Sequence, residues 1–284
     1  MQVAIDHVVF AWDNLDRATD RFADLGLVST YGGVHGNGET HMSLLCFADG
    51  SYIEIIAPRD GKTPPVWSAN MTEQSGPCAW CIGVDDIGDA VKNAVDAGIA
   101  VAGPWNESRR RPDETLVEWD KALLGVEQNS ADQRSWLLPF LISDRTPRQR
   151  RVDYSDEESL EKIMGIGGVV LAVPSLDAAV DQFQQLFHFP TPEVATIDAI
   201  DARVAEFPGT PVALATPASD GTWLADRLAS FGPSPCMYLL KSDDIDAAAE
   251  SYPLTDVLEW PTGRVAWFDV DELGMTLGVV ESSQ

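Results

Sequence analysis

Short apolar runs alternate with amphipathic stretches along the chain, and one unit of that alternation occurs four times. Each unit opens with an apolar, strand-like run, passes through a polar turn and continues at helical spacing. The units start at Ile5 (IDHVVFAWDNLDRATDRFADLG), Cys78 (CAWCIGVDDIGDAVKNAVDAG), Ile166 (IGGVVLAVPSLDAAVDQFQQLF) and Cys236 (CMYLLKSDDIDAAAESY). Helix N-caps are expected at Asp13 or Asn14, Asp85 or Asp86, Ser175, and Asp243 or Asp244, because these short side chains can accept from the first free amides. Apolar faces follow: Leu15, Ala18, Phe22 and Leu25; Ile87, Ala90, Ala94 and Ala97; Leu176, Ala179, Phe183 and Leu186. Gly26 and Gly98 stand where a left-handed residue would stop the first two helices.

Strand-like runs follow every helix. They read VSTYGG, ETHMSLLCFADG and SYIEIIAP after the first, with ADGS as a hairpin turn, and AGPWNES, ETLVEWDKALL and SWLLPFLIS after the second. After the third they read EVATID, ARVAEFP and PVALATP, and after the fourth LTDVLEWP, GRVAWFDVD and MTLGVVES. The pattern predicts an α+β protein of four βαβββ modules. The polar stretch Ser143–Lys162 carries no sustained period and reads as a linker. It sets off residues 1–145 from residues 163–284, with 146–162 between them. Each part is long enough to bury a core of its own.

Charge changes the picture more than composition does. With 45 Asp+Glu against 19 Lys+Arg the formal net charge is −26. Such a field repels nucleic acid and anionic membranes. Only five of the basic residues are Lys. Acidic, Lys-poor surfaces suit concentrated salt, where screening is short-ranged, so the protein of a salt-accumulating halophile is expected. No apolar run is long enough to span a bilayer, and the start reads as a strand rather than a secretory signal. A cytoplasmic protein is the expectation. Cys46, Cys78, Cys81 and Cys236 lie in apolar segments and read as reduced core thiols. Cys78-x-x-Cys81 has no second pair and no helix start, which argues against zinc or redox chemistry. No phosphate-cradling glycine motif is present, so no nucleotide cofactor is expected. The tryptophans, including Trp12, Trp80, Trp105 and Trp136, are read as core or rim packing.

Two polar residues interrupt apolar strands of the first module. His7 shares a face with Ile5 and Val9, and Glu54 breaks YIEII. A carboxylate inside such a strand needs a cationic partner, either a metal or an Arg. His35 lies in the glycine-rich loop GGVHGNGETH, which is expected to line or cover a cavity. His41 begins the next strand and is a candidate ligand or base. Arg109 and Arg111, with Asp113, precede the strand TLVEW, on which either Glu118 or Trp119 can face inward, but not both.

Paired βαβββ modules resemble the vicinal oxygen chelate (VOC) superfamily of glyoxalases, extradiol dioxygenases and bleomycin-resistance proteins. The stretches IDHVVFAWDNLDRA, GGVHGNGETHMSLLCFADGSYIEIIAP, RRRPDETLVEW and LLPFLISD are similar to its glyoxalase-like group, over most of residues 3–145. The resemblance implies two fused VOC domains, each a pair of modules curled into a cup. It implies metal ligands on the first and last strand of a module, which are His7 and Glu54 in module one. His with a carboxylate suits Mn, Fe, Ni or Zn. Module two departs from this pattern, with Ala79 near the His7 position and no acid or imidazole in SWLLPFLIS. Modules three and four lack the ligands too, so the C-terminal domain is read as degenerate. Two activities remain open. One is a divalent-metal-dependent lyase, isomerase or ring-cleaving dioxygenase acting on a small oxygenated metabolite. It would use Glu54 and His41 catalytically and His35, Arg109, Arg111 and Trp119 for binding. The other is non-catalytic sequestration of a small molecule, with His7 and Glu54 merely paired. A homodimer is compatible with either.

Overall fold

The computed structural model describes residues 3–64, 66–72, 76–126, 136–152, 160, 162–270 and 273–281. The chain runs β1 (Ile5–Ala11), α1 (Leu15–Asp24), β2 (Thr30–Val34), β3 (Thr40–Cys46), β4 (Tyr52–Pro58), α2 (Ser68–Thr72), β5 (Gly76–Gly83), α3 (Ile87–Asp96), β6 (Val101–Arg110), β7 (Leu116–Leu124), β8 (Phe140–Asp144) and α4 (Arg148–Arg151). It continues β9 (Gly165–Ala172), α5 (Leu176–Phe187), β10 (Glu193–Ile197), β11 (Ala202–Glu206), β12 (Val212–Pro217), α6 (Trp223–Phe231), β13 (Ser234–Ser242), α7 (Ile245–Ser251), β14 (Leu258–Trp260), β15 (Gly263–Trp267) and β16 (Leu277–Glu281).

The helices start where capping chemistry says they should. Asn14 accepts from the Arg17 amide, Asp86 from Gly88 and Asp89, and Asp244 from Ala247. Ser175 caps α5 without a side-chain bond. Gly26 and Gly98, at φ +80° and +78°, follow the ends of α1 and α3, a conformation a side chain would oppose.

Each half closes into one eight-stranded sheet, ordered β2-β3-β4-β1-β5-β8-β7-β6 and β10-β11-β12-β9-β13-β16-β15-β14. In each sheet the two modules meet at one antiparallel pair, β1 with β5 and β9 with β13. Helices α1, α3, α5 and α7 cover the outer faces. Val8, Phe10 and Trp80 of the first half and Val169, Leu171 and Tyr238 of the second belong to a single continuous core there. The Tyr238 hydroxyl lies 2.9 Å from the Val9 carbonyl and 2.7 Å from that of Ala79, linking the halves at their central strands.

The inner faces differ. The second cup is filled by α6, which its sequence stretch did not announce. Leu224, fully buried, joins Val170, Ala215 and Cys236 in a closed apolar cluster. Of the expected linker, residues 146–152 fold back on the first sheet as α4, burying Arg151 and Val152. Residues 153–159 and 161 lie outside the described residues. All four cysteines are buried and free.

Candidate functional site

The first cup stays open as a cavity of about 330 Å³. Its wall follows from strand alternation. On β3 the residues facing it are Thr40, Met42 and Leu44, on β4 Tyr52 and Glu54, on β7 Trp119, Lys121 and Leu123, and on β8 Phe140 and Ile142. His7 reaches it from β1, and Trp105, Glu107 and Arg109 reach it from β6. Trp67 and Trp136, with ring centroids 4.9 Å apart, add an aromatic side.

Glu54 is the centre of the polar end. Its Oε1 lies 3.1 Å from His35 Nε2, and its Oε2 lies 3.6 Å from His7 Nε2. Burial alone would raise its pKa. The His35 hydrogen bond and the charges of His35, His7 and Arg109 outweigh that and bring it down to about 2. Glu54 is therefore a carboxylate at neutral pH. His35 sits in the β2–β3 turn, held by its Nδ1 at 2.7 Å from Thr40 Oγ1 and by its amide to the Thr40 carbonyl at 3.0 Å. At Gly36 a Cβ would come within 2.9 Å of the Ser108 carbonyl, so only glycine lets this turn pack against β6.

His7 is oriented from behind. Its Nδ1 lies 2.7 Å from Asp6 Oδ1, and its ring stacks on Tyr52 at 4.5 Å. The guanidinium of Arg151 and the hydrogen bond from His7 hold the Asp6 carboxyl well below the usual range, against the opposing effect of burial. Asp6 being ionised, Nδ1 donates to it, so in the neutral imidazole that would ligate a metal the Nε2 lone pair is the one aimed at Glu54. Arg151 itself forks between Asp6 (2.9 Å from each carboxylate oxygen) and Asp144 (2.6 and 2.9 Å), and donates to the Tyr52 hydroxyl at 2.8 Å. Arg148 adds a second guanidinium to Asp6. This Asp6–Arg148–Arg151–Asp144 network had no sequence signal, since Asp6 is separated from the other three by most of the first half.

A lone pair and a carboxylate oxygen facing each other at 3.6 Å repel unless a cation or proton lies between them. Two imidazole nitrogens thus flank one carboxylate at the cavity end, one at each carboxylate oxygen, a donor set that suits Mn, Fe, Ni or Zn. The carboxylate behind His7 is the outer-shell arrangement that orients metal-bound imidazoles. A neighbouring cluster of Asp6, His7 and Cys81 is tighter, with one ligand atom from each lying within 4.8 Å of the others, which His7, His35 and Glu54 do not achieve together. It fits a metal less well, because Asp6 is already shared by two guanidiniums and burial pushes the Cys81 thiol well up.

The other candidates divide. Trp119 lines the cavity, and Trp105 and Trp136, expected as packing, line it too. Arg109 is buried in the wall, donating to the Gly32 carbonyl at 2.7 Å and to the Arg151 carbonyl at 2.9 Å, so it both charges and braces the cup. Arg111 does not reach the cavity. It lies beyond the end of β6 beside Asp113 and the Arg150 carbonyl. His41 is corrected as well. Thr40 and Met42 face the cup, so His41 points to the opposite side, into a polar cleft with Asp13, Arg59 and Asp60.

The missing second ligand pair has a definite replacement. Ala79 stands as far before its helix cap Asp86 as His7 stands before Asn14. By the same count Cys81 matches Val9. Val9 pairs with Glu54 and Cys81 with Phe140, so Phe140 occupies the place of a second Glu54.

Residues 5–187 match the family model described as the Glyoxalase-like domain. The chain belongs to that family. No curated protein matches it. Its fold is the VOC fold, and solved structures share it over nearly the whole chain. A hypothetical protein from Staphylococcus aureus is 13% identical, with 98% of each chain covered and a TM-score of 0.62. A mutant of 4-hydroxymandelate synthase from Streptomyces coelicolor is 14% identical, covering 99% of this chain and 92% of that one, with a TM-score of 0.62. A xylose isomerase-like TIM barrel/4-hydroxyphenylpyruvate dioxygenase fusion protein is 17% identical, covering all of this chain and 50% of that one, with a TM-score of 0.56. Among the described residues no helix is long and apolar enough to cross a membrane.

Proposed function

We propose that the chain is a divalent-metal-dependent enzyme acting on a small oxygenated metabolite in the first cup. The observation carrying this is the ionised Glu54 flanked by His7 Nε2 at one carboxylate oxygen and His35 Nε2 at the other, at one end of a cavity with an aromatic side. These three residues would hold the metal, His35 taking a place that the ligands absent from module two leave open. When bound, the ion would polarise adjacent oxygens of a substrate and steady an enolate-like charge. Asp6 keeps His7 in the tautomer that presents Nε2, while Arg109 supplies positive charge nearby. Trp119, Trp105 and Trp136 exclude water from the apolar side. Proton transfer beside a carbonyl and oxidative cleavage both fit this arrangement. Support for oxygen chemistry also comes, at the level of fold alone, from the synthase and dioxygenase names of two structural relatives.

The aromatic wall favours one second reading, sequestration of a flat molecule without turnover. Elemental analysis of protein purified in molar salt, without chelator or metal resin, separates the two. The enzyme reading expects near-stoichiometric Mn, Fe, Ni or Zn, lost in His7→Ala and Glu54→Gln and reduced in His35→Ala. No metal in the wild type, and none taken up on incubation, would overturn it in favour of sequestration.

A further inference from the structure

Lys121 is one of five lysines in the chain and faces the cup from the middle of β7. Its counterpart in module one is Met42. The pairs Leu44–Glu54 and Leu123–Phe140 correspond, and so do Met42–Ile56 and Lys121–Ile142. A strand position that is apolar in one module therefore carries a cation in the other. Among the described residues Lys121 has no carboxylate partner. Its Nζ lies 4.8 Å from the centre of the Phe140 ring. Phe140 in turn meets His7 edge-on at 5.2 Å. In a protein of net charge −26, an ammonium on the aromatic side of the cavity is out of keeping with the rest of the surface, and the lining acid Glu107 accepts from Trp105 Nε1 at 2.7 Å rather than pairing with it.

Desolvating an ammonium costs free energy that one aromatic face offsets only in part. An anion arriving from solvent would complete the offset. Trp119, on the same face of β7, and Trp105, whose strand position pairs with Lys121, flank it with flat apolar surface. We propose that Lys121 is the anion-recognition residue of the cup and that the ligand is a small carboxylic acid with a flat apolar body. Its carboxylate seats on Lys121 over Phe140, its body lies against Trp119 and Trp105, and its far end points to His7 and Glu54. This rests on the first cup being the ligand site, but not on a metal being bound there.

Matched pairs test it: phenylacetate against phenylacetamide, and 3-phenylpropionate against its amide, titrated by calorimetry at moderate salt with and without EDTA. The global field disfavours the acids, so a preference for them must be local. The expected result is acids bound on the order of tenfold more tightly than amides, as a charge-assisted hydrogen bond provides. That preference should persist in EDTA, vanish in Lys121→Met and survive in Lys121→Arg. A preference that survives Lys121→Met, or one abolished by EDTA but not by Lys121→Met, would overturn the assignment; the second result would move the carboxylate to the metal and leave the enzyme reading intact. Equal binding of acid and amide by the wild type would overturn it as well. Metal content of Lys121→Met, measured alongside, keeps the two readings apart, since its retention with loss of acid preference locates the effect at Lys121 alone.

Discussion

Glu54 has a consequence in acid that a merely buried carboxylate would not. Its pKa is about 2 in the folded protein against an ordinary 4.5. Between these values the unfolded chain binds a proton that the folded chain does not, so stability rises with pH across that window. The contribution is present above pH ~4.5 and is lost as pH falls toward ~2. In metal-free protein, Glu54→Gln is expected to cost on the order of 2–3 kcal/mol at pH 6. The gap from wild type should narrow as pH drops to ~3, read as free energies from denaturant titrations at each pH. A gap that stays constant would mean that the two histidines do not stabilise the ionised form. Residues of this kind were half visible in the sequence. His7 and Glu54 stood out because a polar group breaks an apolar alternation. That alternation says which residues share a face but not which face is concave. On β3 Leu44 lies on one face and Leu45 on the other, so the alternation alone does not say whether His41, a candidate ligand or base, faces the cup. Lys121, a cation between Trp119 and Leu123 on one strand face, carries a signal that points to no chemistry without the cup around it.

At the scale of elements, α4 is the piece whose role the pattern hid. A basic turn in a polar stretch reads as linker, yet Arg151 is 3% exposed and carries the charges of Asp6 and Asp144. Asp6 holds His7, so α4 orients the site through Asp6, while Arg151 itself borders the cavity beside Tyr52. Removing one partner of a buried ion network strands the others. Arg151→Met is therefore expected to cost about 3–5 kcal/mol, while Arg148→Met, at the half-exposed edge of the network, costs less. Chemical denaturation measures both, and a loss in Arg151→Met no larger than in Arg148→Met would contradict the ranking. The first strand and helix of each module were legible because caps and the helical period are local signals. The α6 plug and α4 were not, because what fixes them is contact with a distant sheet. Leu224 in the second cup and Arg151 in the first are tertiary choices.

At the scale of the molecule, two similar cups meet different fates. One is closed by Leu224 and its neighbours and the other is left open around His7, His35 and Glu54, although both sheets share one helix-lined core. Around that core lies an excess of 26 negative charges. Their mutual repulsion opposes the compact state and acts over a Debye length of ~10 Å at 0.1 M salt but only ~3 Å at 1 M. Exposed ion pairs such as Lys92–Asp96 and Arg264–Asp246 contribute little each and do not change the net charge. The melting temperature at neutral pH should therefore climb from low to molar KCl. At ~2–4 °C per kcal/mol for a chain of this size, relief of a few kcal/mol is a rise on the order of 10 °C. Screening also predicts where the effect fades. Near pH ~4, where surface Asp and Glu begin to take up protons, the net charge shrinks and the same salt step should raise the melting temperature less. Calorimetric scans at two pH values and two salt concentrations test both parts. Equal melting temperatures in dilute and molar KCl at pH 7 would show that the acidic surface is not under electrostatic strain. An equal rise at both pH values would assign the stabilisation to the general effect of salt on apolar burial instead.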